Sequence, residues 1–395
     1  MSRPDHELAD IFRQYGSPYR ETRKLPLEQL RVMRAIETCR TSALGGYVEE
    51  CDQCNYRRIA YNSCRNRHCP KCLNTERAKW LHSRQEELLP VEYFHVVFTV
   101  PEQIARIAFY NKGTVYGILF RAAAETLLTL ARDPRHLGAE IGFFGILHTW
   151  GQNLLHHPHV HFVIPGGGLG PDRKWVPGRP GFFLPVRVLS RLFRRLFLQA
   201  LKQTFRRNQI QFLGEIESLK QQTAFLDYLQ PVEESEWVVY AKKPFGGSHQ
   251  VLDYLGRYTH RVALSNDRIL DLSHGQVSFP WRDYRDREKY RSRVMTVSAE
   301  EFIRRFLIHT LPAGFRRIRY FGFLASRCRK QQLAVCRQLL AVTATELLPT
   351  PAQCRAAVAL WHSQPFPACP KCHTGVLIRL RLAAYRWPER PPDSS

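Results

Sequence analysis

The chain has 395 residues, long enough for two or three domains at roughly 100–200 residues each, with 44% hydrophobic and 12% aromatic residues. Lys and Arg number 58 against 35 Asp and Glu, a net charge of +23. The excess is spread along the chain, which excludes a basic tail or one membrane-surface helix as its source and predicts a polyanionic partner, nucleic acid first. No apolar run approaches the ~18 uncharged residues of a membrane span, and MSRPDHELADIFRQYG lacks the order of a signal peptide, so a reducing cytoplasmic setting is expected.

In chain order, residues 1–90 read as a small DNA-contacting module, helical at both ends with a cysteine-rich stretch between. Six of the eleven cysteines lie from Cys39 to Cys72 and five from Cys328 to Cys372. In a cytoplasmic protein such clustering points to zinc rather than to disulfides. Cys51-Asp52-Gln53-Cys54 and Cys69-Pro70-Lys71-Cys72 form two CxxC knuckles with fourteen residues between them, which together supply the four thiolates of a tetrahedral structural zinc. Cys39, Cys64 and His68 remain as additional or substitute ligands, and with Arg65 and Arg67 beside the metal the module is expected to touch DNA. The His-x-Glu and Pro-Cys-x-x-Cys order of zinc deaminases is absent.

A second domain is expected over 91–325. A β-branched and aromatic run at 92–100 ends at Pro101 and predicts a buried strand. Apolar residues every three or four positions predict a helix over 112–132, and strand-like runs at 141–150 and 159–164 suit a hairpin. Gly- and Pro-rich sequence then leads into a strongly basic helical region, read as an insertion over about 170–235. A strand at 236–241 and a helix from Ser248, a plausible N-cap, to about Val262 follow. Arg316-Arg317-Ile318-Arg319-Tyr320-Phe321 interleaves cations with aromatics, which suits stacking on unpaired bases. Short antiparallel strands mixed with helices make the fold class α+β. Residues 326–395 form a C-terminal basic region whose knuckle, Cys369-Pro370-Lys371-Cys372, has Cys328, Cys336, Cys354 and His373 as available partners.

Within His156-His157-Pro158-His159-Val160-His161-Phe162, strand alternation puts His159 and His161 on one face and Val160 and Phe162 in the core. Two neighbouring imidazoles can share a divalent metal, with Gln152 as third ligand and His148 as its rival. In Asp253-Tyr254-Leu255-Gly256-Arg257-Tyr258, helical spacing puts Tyr254 and Tyr258 on one face, a turn apart. A metal that polarises a scissile phosphate lets a tyrosine oxygen attack phosphorus. The resulting phosphotyrosine bond conserves energy, so a later 3'-hydroxyl can rejoin strands without ATP. Either pattern alone also fits ordinary packing.

Together they carry a specific resemblance. The Cys39-Arg40-Thr41 to Gly45-Gly46 stretch, the Ser63-Cys64-Arg65-Asn66-Arg67-His68-Cys69-Pro70-Lys71-Cys72 block, Leu147-His148-Thr149-Trp150-Gly151-Gln152-Asn153-Leu154, His157-Pro158-His159-Val160-His161, Gly166-Gly167-Gly168 and Tyr254-Leu255-Gly256-Arg257-Tyr258 occur in order across roughly residues 30–325. In this the sequence resembles the two-tyrosine HUH transposases of the insertion-sequence-91 family. The resemblance implies a Rep-like HUH nuclease domain behind a zinc-binding domain, with a catalytic Mg2+ or Mn2+ at His159 and His161. It also implies Tyr254 and Tyr258 as nucleophiles and single-stranded element ends and target DNA as partners. A replication initiator or relaxase shares this chemistry, and a zinc-containing DNA-binding regulator is the non-enzymatic alternative. The chain has no Walker-type GxxxxGK[ST] motif for a fused helicase.

Overall fold

The structure, a computed structural model, describes residues 4–73, 87–245, 263–282, 292–340 and 368–382. It begins with helices α1 (Leu8–Glu21) and α2 (Leu27–Thr38), followed by a hairpin of β1 (Gly46–Cys51) and β2 (Arg57–Tyr61). Next come β3 (Tyr93–Thr99), α3 (Glu102–Tyr110), α4 (Lys112–Arg132), β4 (Gly142–Trp150) and β5 (His156–Pro165). A small ribbon of β6 (Gly167–Leu169) and β7 (Trp175–Pro177) leads to α5 (Val186–Arg206), α6 (Gln222–Glu234) and β8 (Val239–Phe245). The described chain resumes with a meander of β9 (Asp271–Ser273), β10 (Gln276–Arg282) and β11 (Ser292–Ser298), then α7 (Ala299–Leu307), β12 (Ile318–Gly322), α8 (Arg329–Leu339) and β13 (Leu377–Leu382). The fold is α+β with antiparallel sheets, as expected.

The main sheet has the order β12-β4-β5-β3-β8, and every neighbouring pair in it is antiparallel. Alternation along β3 and β5 sends Val96, Phe98, Val160, Phe162 and Ile164 to one face, where they pack on α4 and α5. Helix α4 is apolar and long enough by composition to cross a membrane. Its Ile118, Leu119, Phe120, Ala123 and Leu127 are instead buried against the sheet, which accounts for that composition.

Two of the expected segments pack closely against the rest of the chain. The stretch 170–235, expected as a basic helical insertion, supplies a layer of the core: Leu189, Phe193, Phe197 and Leu201 of α5 are fully buried, and the Phe193 ring centre lies 4.9 Å from that of Phe98. Arginines 187, 191 and 195 occupy the exposed side of the same helix. Within the C-terminal region, expected over 326–395, the described segment 368–382 returns to the N-terminal hairpin. Strand β13 pairs with β1, with Glu49 opposite Arg379 and Cys51 opposite Leu377.

The N-terminal helices also share a core with later elements. Phe12 of α1 packs edge-on against Phe306 of α7 at 5.6 Å, and Met33, Ile36, Phe279 and Phe302 belong to the same cluster.

Phe162 touches Phe98, Phe143 and Phe321, with ring centres 5.7, 5.2 and 6.0 Å away. Phe162→Ala is therefore expected to cost about 3–5 kcal/mol of stability, read as a lowered midpoint in chemical denaturation.

Candidate functional site

The opposite face of the main sheet carries the histidines. His159 stands directly across from His148 in β4, and His161 across from Val97 in β3. Ring nitrogens of His148, His159 and His161 all lie within 4.8 Å of one another. His148 and His161 are buried at 3% and 7% exposure, and Trp150 stacks on His148 with ring centres 4.9 Å apart.

The ring orientations follow from hydrogen bonds on the far side of each imidazole. His159 Nδ1 lies 2.6 Å from the His157 carbonyl; it must donate there, which leaves the Nε2 lone pair open. His161 Nδ1 lies 2.8 Å from His95 Nε2. His95 is buried in β3 and was not singled out from sequence, although its parity in that strand puts it on the histidine face. Burial, with His157 adjacent, holds His159 down at about 4, so the ring is neutral at physiological pH.

Gln152, the sequence-based choice for third ligand, lies in the turn after β4 rather than in its paired region. The histidine cluster includes its rival, His148. Tyr254 and Tyr258, and the expected helix from Ser248, lie outside the described residues.

Eight of the cysteines form two groups, and neither is the set expected. Cys51, Cys54, Cys69 and Cys72 do not converge. Cys69 and Cys72 join Cys39 and Cys64, while Cys51 and Cys54 join Cys369 and Cys372. The cause is the β1–β2 hairpin: Cys51 and Cys54 sit at its tip, whereas Asn62, hydrogen-bonded to Gly45 and Arg40, closes its base near Cys39. Five residues of β2 span roughly 17 Å at about 3.4 Å each, which keeps the knuckles apart.

In the first group the Cys39–Cys72 and Cys64–Cys72 sulfur distances are 3.6 and 3.5 Å. A disulfide needs about 2.05 Å, while sulfurs at about 2.3 Å from a tetrahedral zinc lie about 3.8 Å apart. The geometry fits a metal-sized gap.

His68 is not among these sulfurs. Its Nε2 accepts from the Leu311 amide at 3.3 Å and its Nδ1 faces Asn66 Oδ1 at 3.1 Å. Burial and nearby Arg67 push it down to about 3. Arg67, one of the two arginines beside the metal, is half-buried and donates to the carbonyls of Phe315 and Pro312 at 2.6 and 2.7 Å. From the other side Lys112 Nζ donates to the Ile308 and Thr310 carbonyls at 2.6 and 3.0 Å. The loop after α7 is thus gripped by the zinc module and by α4. Arg65 remains exposed beside Cys64.

Comparison with known proteins identifies this architecture. Residues 11–100 match the family model described as "Transposase zinc-binding domain", and residues 142–332 match the one described as "Putative transposase". Over 386 residues the chain is 58% identical to "Putative transposase y4qJ" of Sinorhizobium fredii, covering 97% of this chain and 96% of that protein. It is 27% identical over 311 residues to the "Transposase for insertion sequence element IS801" of Pseudomonas savastanoi pv. phaseolicola, covering 77% of this chain and 72% of that one. No solved structure matches. The molecule is a zinc-binding, DNA-acting transposase. It belongs to the insertion-sequence-91 family.

Because Arg67 is occupied with backbone carbonyls, Arg67→Met should lower stability by about 1–3 kcal/mol, the usual cost of stranding buried polar groups. The salt dependence of DNA binding should stay as in the parent, measured by fluorescence anisotropy; a slope reduced by one phosphate contact would instead make Arg67 a DNA ligand.

Proposed function

We propose that this transposase nicks and rejoins single-stranded DNA through 5'-phosphotyrosine links at Tyr254 and Tyr258, and so mobilises an insertion sequence by rolling-circle strand transfer. The observation that carries the reading is the convergence of His148, His159 and His161 on one face of a five-stranded antiparallel sheet. A central strand bearing the His-Val-His motif supports the Rep-like HUH nuclease fold.

These three histidines would hold the catalytic cation, with His148 in the position that sequence gave to Gln152. The donor set fits: His159 offers Nε2 because its Nδ1 is committed to the His157 carbonyl. His161 offers Nε2 when its Nδ1–H donates to His95, a positioning contact of the kind that orients metal-bound imidazoles. Of Mg2+ and Mn2+, nitrogen donors suit Mn2+ better, since Mg2+ strongly prefers oxygen. A bound cation would polarise the scissile phosphate and offset charge developing on it.

The tyrosines supply the nucleophiles. A phenolic oxygen that has lost its proton bonds to phosphorus, the bond to the 3'-oxygen breaks, and that oxygen takes up a proton as a free 3'-hydroxyl. Attack by another 3'-hydroxyl on the phosphotyrosine reverses these steps and frees the tyrosine. What supports the assignment is where the flanking chain lies. Phe245 ends β8 opposite Tyr93 of β3. The described chain returns at Ala263 in a small cavity shared with Trp150 and His309, and Trp150 stacks on His148. Cys39, Cys64, Cys69 and Cys72 would hold the zinc of the N-terminal domain, and the dispersed positive charge would supply salt-dependent affinity for DNA.

The test uses 5'- and 3'-labelled single-stranded oligonucleotides covering candidate element ends, with Mn2+ or Mg2+, resolved by denaturing electrophoresis. Wild type should form a covalent 5'-phosphotyrosine adduct and release a strand with a free 3'-hydroxyl. His159→Ala and His161→Ala should reduce adduct to background with DNA binding nearly intact. The Tyr254→Phe/Tyr258→Phe variant should keep its fold, since the rings remain, and form no adduct. An adduct from that double variant would place the nucleophile elsewhere.

A further inference from the structure

We infer that a second structural zinc site joins the two ends of the chain, with Cys51 and Cys54 of the N-terminal hairpin and Cys369 and Cys372 beyond α8 as its four thiolate ligands. The matched zinc-binding domain ends at residue 100, so half of this ligand set lies outside it. The site does not depend on the histidine chemistry.

The four sulfurs lie within 4.8 Å of one another. Cys51 is 3.7 Å from Cys372 and Cys54 is 3.6 Å from Cys369, too far for disulfides at about 2.05 Å and close to the roughly 3.8 Å edge of a zinc tetrahedron. The two knuckles fold alike. The Gln53 amide points at Cys51 Sγ and the Lys371 amide at Cys369 Sγ, each at 3.4 Å, and the Gly375 amide approaches Cys372 Sγ at 3.3 Å. N–H donors aimed at sulfur offset the charge of thiolates.

Ordinary packing of reduced cysteines does not explain the arrangement. Among the described residues only Cys51, Cys369 and Leu377 are fully buried there, a small core for holding two segments so distant in sequence. The approach is also close: a Cβ on Gly375 would lie 2.5 Å from Cys51 Sγ. Around the sulfurs the strand is docked by matched contacts. Asp52 exchanges hydrogen bonds with Val376 at 2.8 and 3.1 Å, and buried Glu49 accepts from Arg58 and Arg379 at 2.5 and 2.8 Å. The first sixty residues therefore complete their metal site only after residue 372 has been made.

Zinc per chain in the purified full-length protein, measured by inductively coupled plasma mass spectrometry, tests this. Wild type should carry two zincs, and Cys369→Ser/Cys372→Ser should carry one. Cys64→Ser/Cys69→Ser should also carry one, which separates this site from the zinc of the N-terminal domain. Should the C-terminal variant not fold, cobalt exchange into wild type decides: tetrathiolate charge-transfer bands growing to two equivalents support the second site. Saturation of those bands at one equivalent, a wild-type content of one zinc, or a Cys369→Ser/Cys372→Ser protein that keeps two zincs overturns it.

Discussion

Phe162 is fully buried among Phe98, Phe143 and Phe321, and Gly145, its register partner in β4, leaves the space for its ring: a Cβ there would lie 2.5 Å from Phe162 Cε1. This contact fixes how β5 sits between β4 and β3. Because side chains alternate along a strand, a slip of one residue would turn Phe162 out and carry His159 and His161 into the apolar layer. The cluster of three imidazoles is thus a consequence of aromatic packing on the other side of the sheet. It requires no strained backbone within β5, and the aromatic layer keeps the histidines' backbone rigid, as a metal-binding constellation needs.

A second constraint unites the modules. The carbonyls after α7 stand at a helix C-terminus, where cations are favoured. Lys112, which burial lowers to about 8, donates to two of them, while Arg67 donates to carbonyls further along the loop. His309, in this same loop, bridges Thr149 Oγ1 and the Leu154 carbonyl at 3.1 and 3.0 Å. The loop therefore ties the zinc module to the turn joining β4 and β5, next to the histidine face. A shift of the zinc module would be felt at the end of the strand that carries His148.

Local periodicity made much of this legible. Helix 112–132 and the paired strands around 141–165 emerge within a few residues of their observed bounds, because apolar spacing and the prolines and glycines around them act over short distances. Partnership between distant segments was not legible. Each CxxC is a local pattern, but which knuckles meet depends on the length of the β1–β2 hairpin and on a strand more than three hundred residues later. In α5, surface arginines obscured the stripe Leu189, Phe193, Phe197 and Leu201, so a core helix resembled an insertion. Arg319 misled in the opposite way: its guanidinium lies over the Phe120 and Phe315 rings at 4.5 and 5.0 Å, so the arginine-aromatic alternation there serves the protein's own packing. His95 gave no signal beyond its parity in an otherwise apolar strand.

Donor chemistry would divide the metals among these sites. Thiolates are soft and bind zinc in a closed tetrahedron, whereas neutral imidazoles accept a wider range of divalent ions and leave positions open when only three are supplied. Four sulfurs complete a coordination shell, so a cysteine cluster has no place for a phosphate oxygen and serves architecture. Three histidines supply only three donors, fewer than the coordination number of such a cation. On the proposed reading, the same chain would keep zinc where it stabilises the fold and a more exchangeable cation at the histidines, with selectivity arising from ligand number and type. His95 extends that logic outward, since its hydrogen bond with the far side of His161 holds that ring in one orientation.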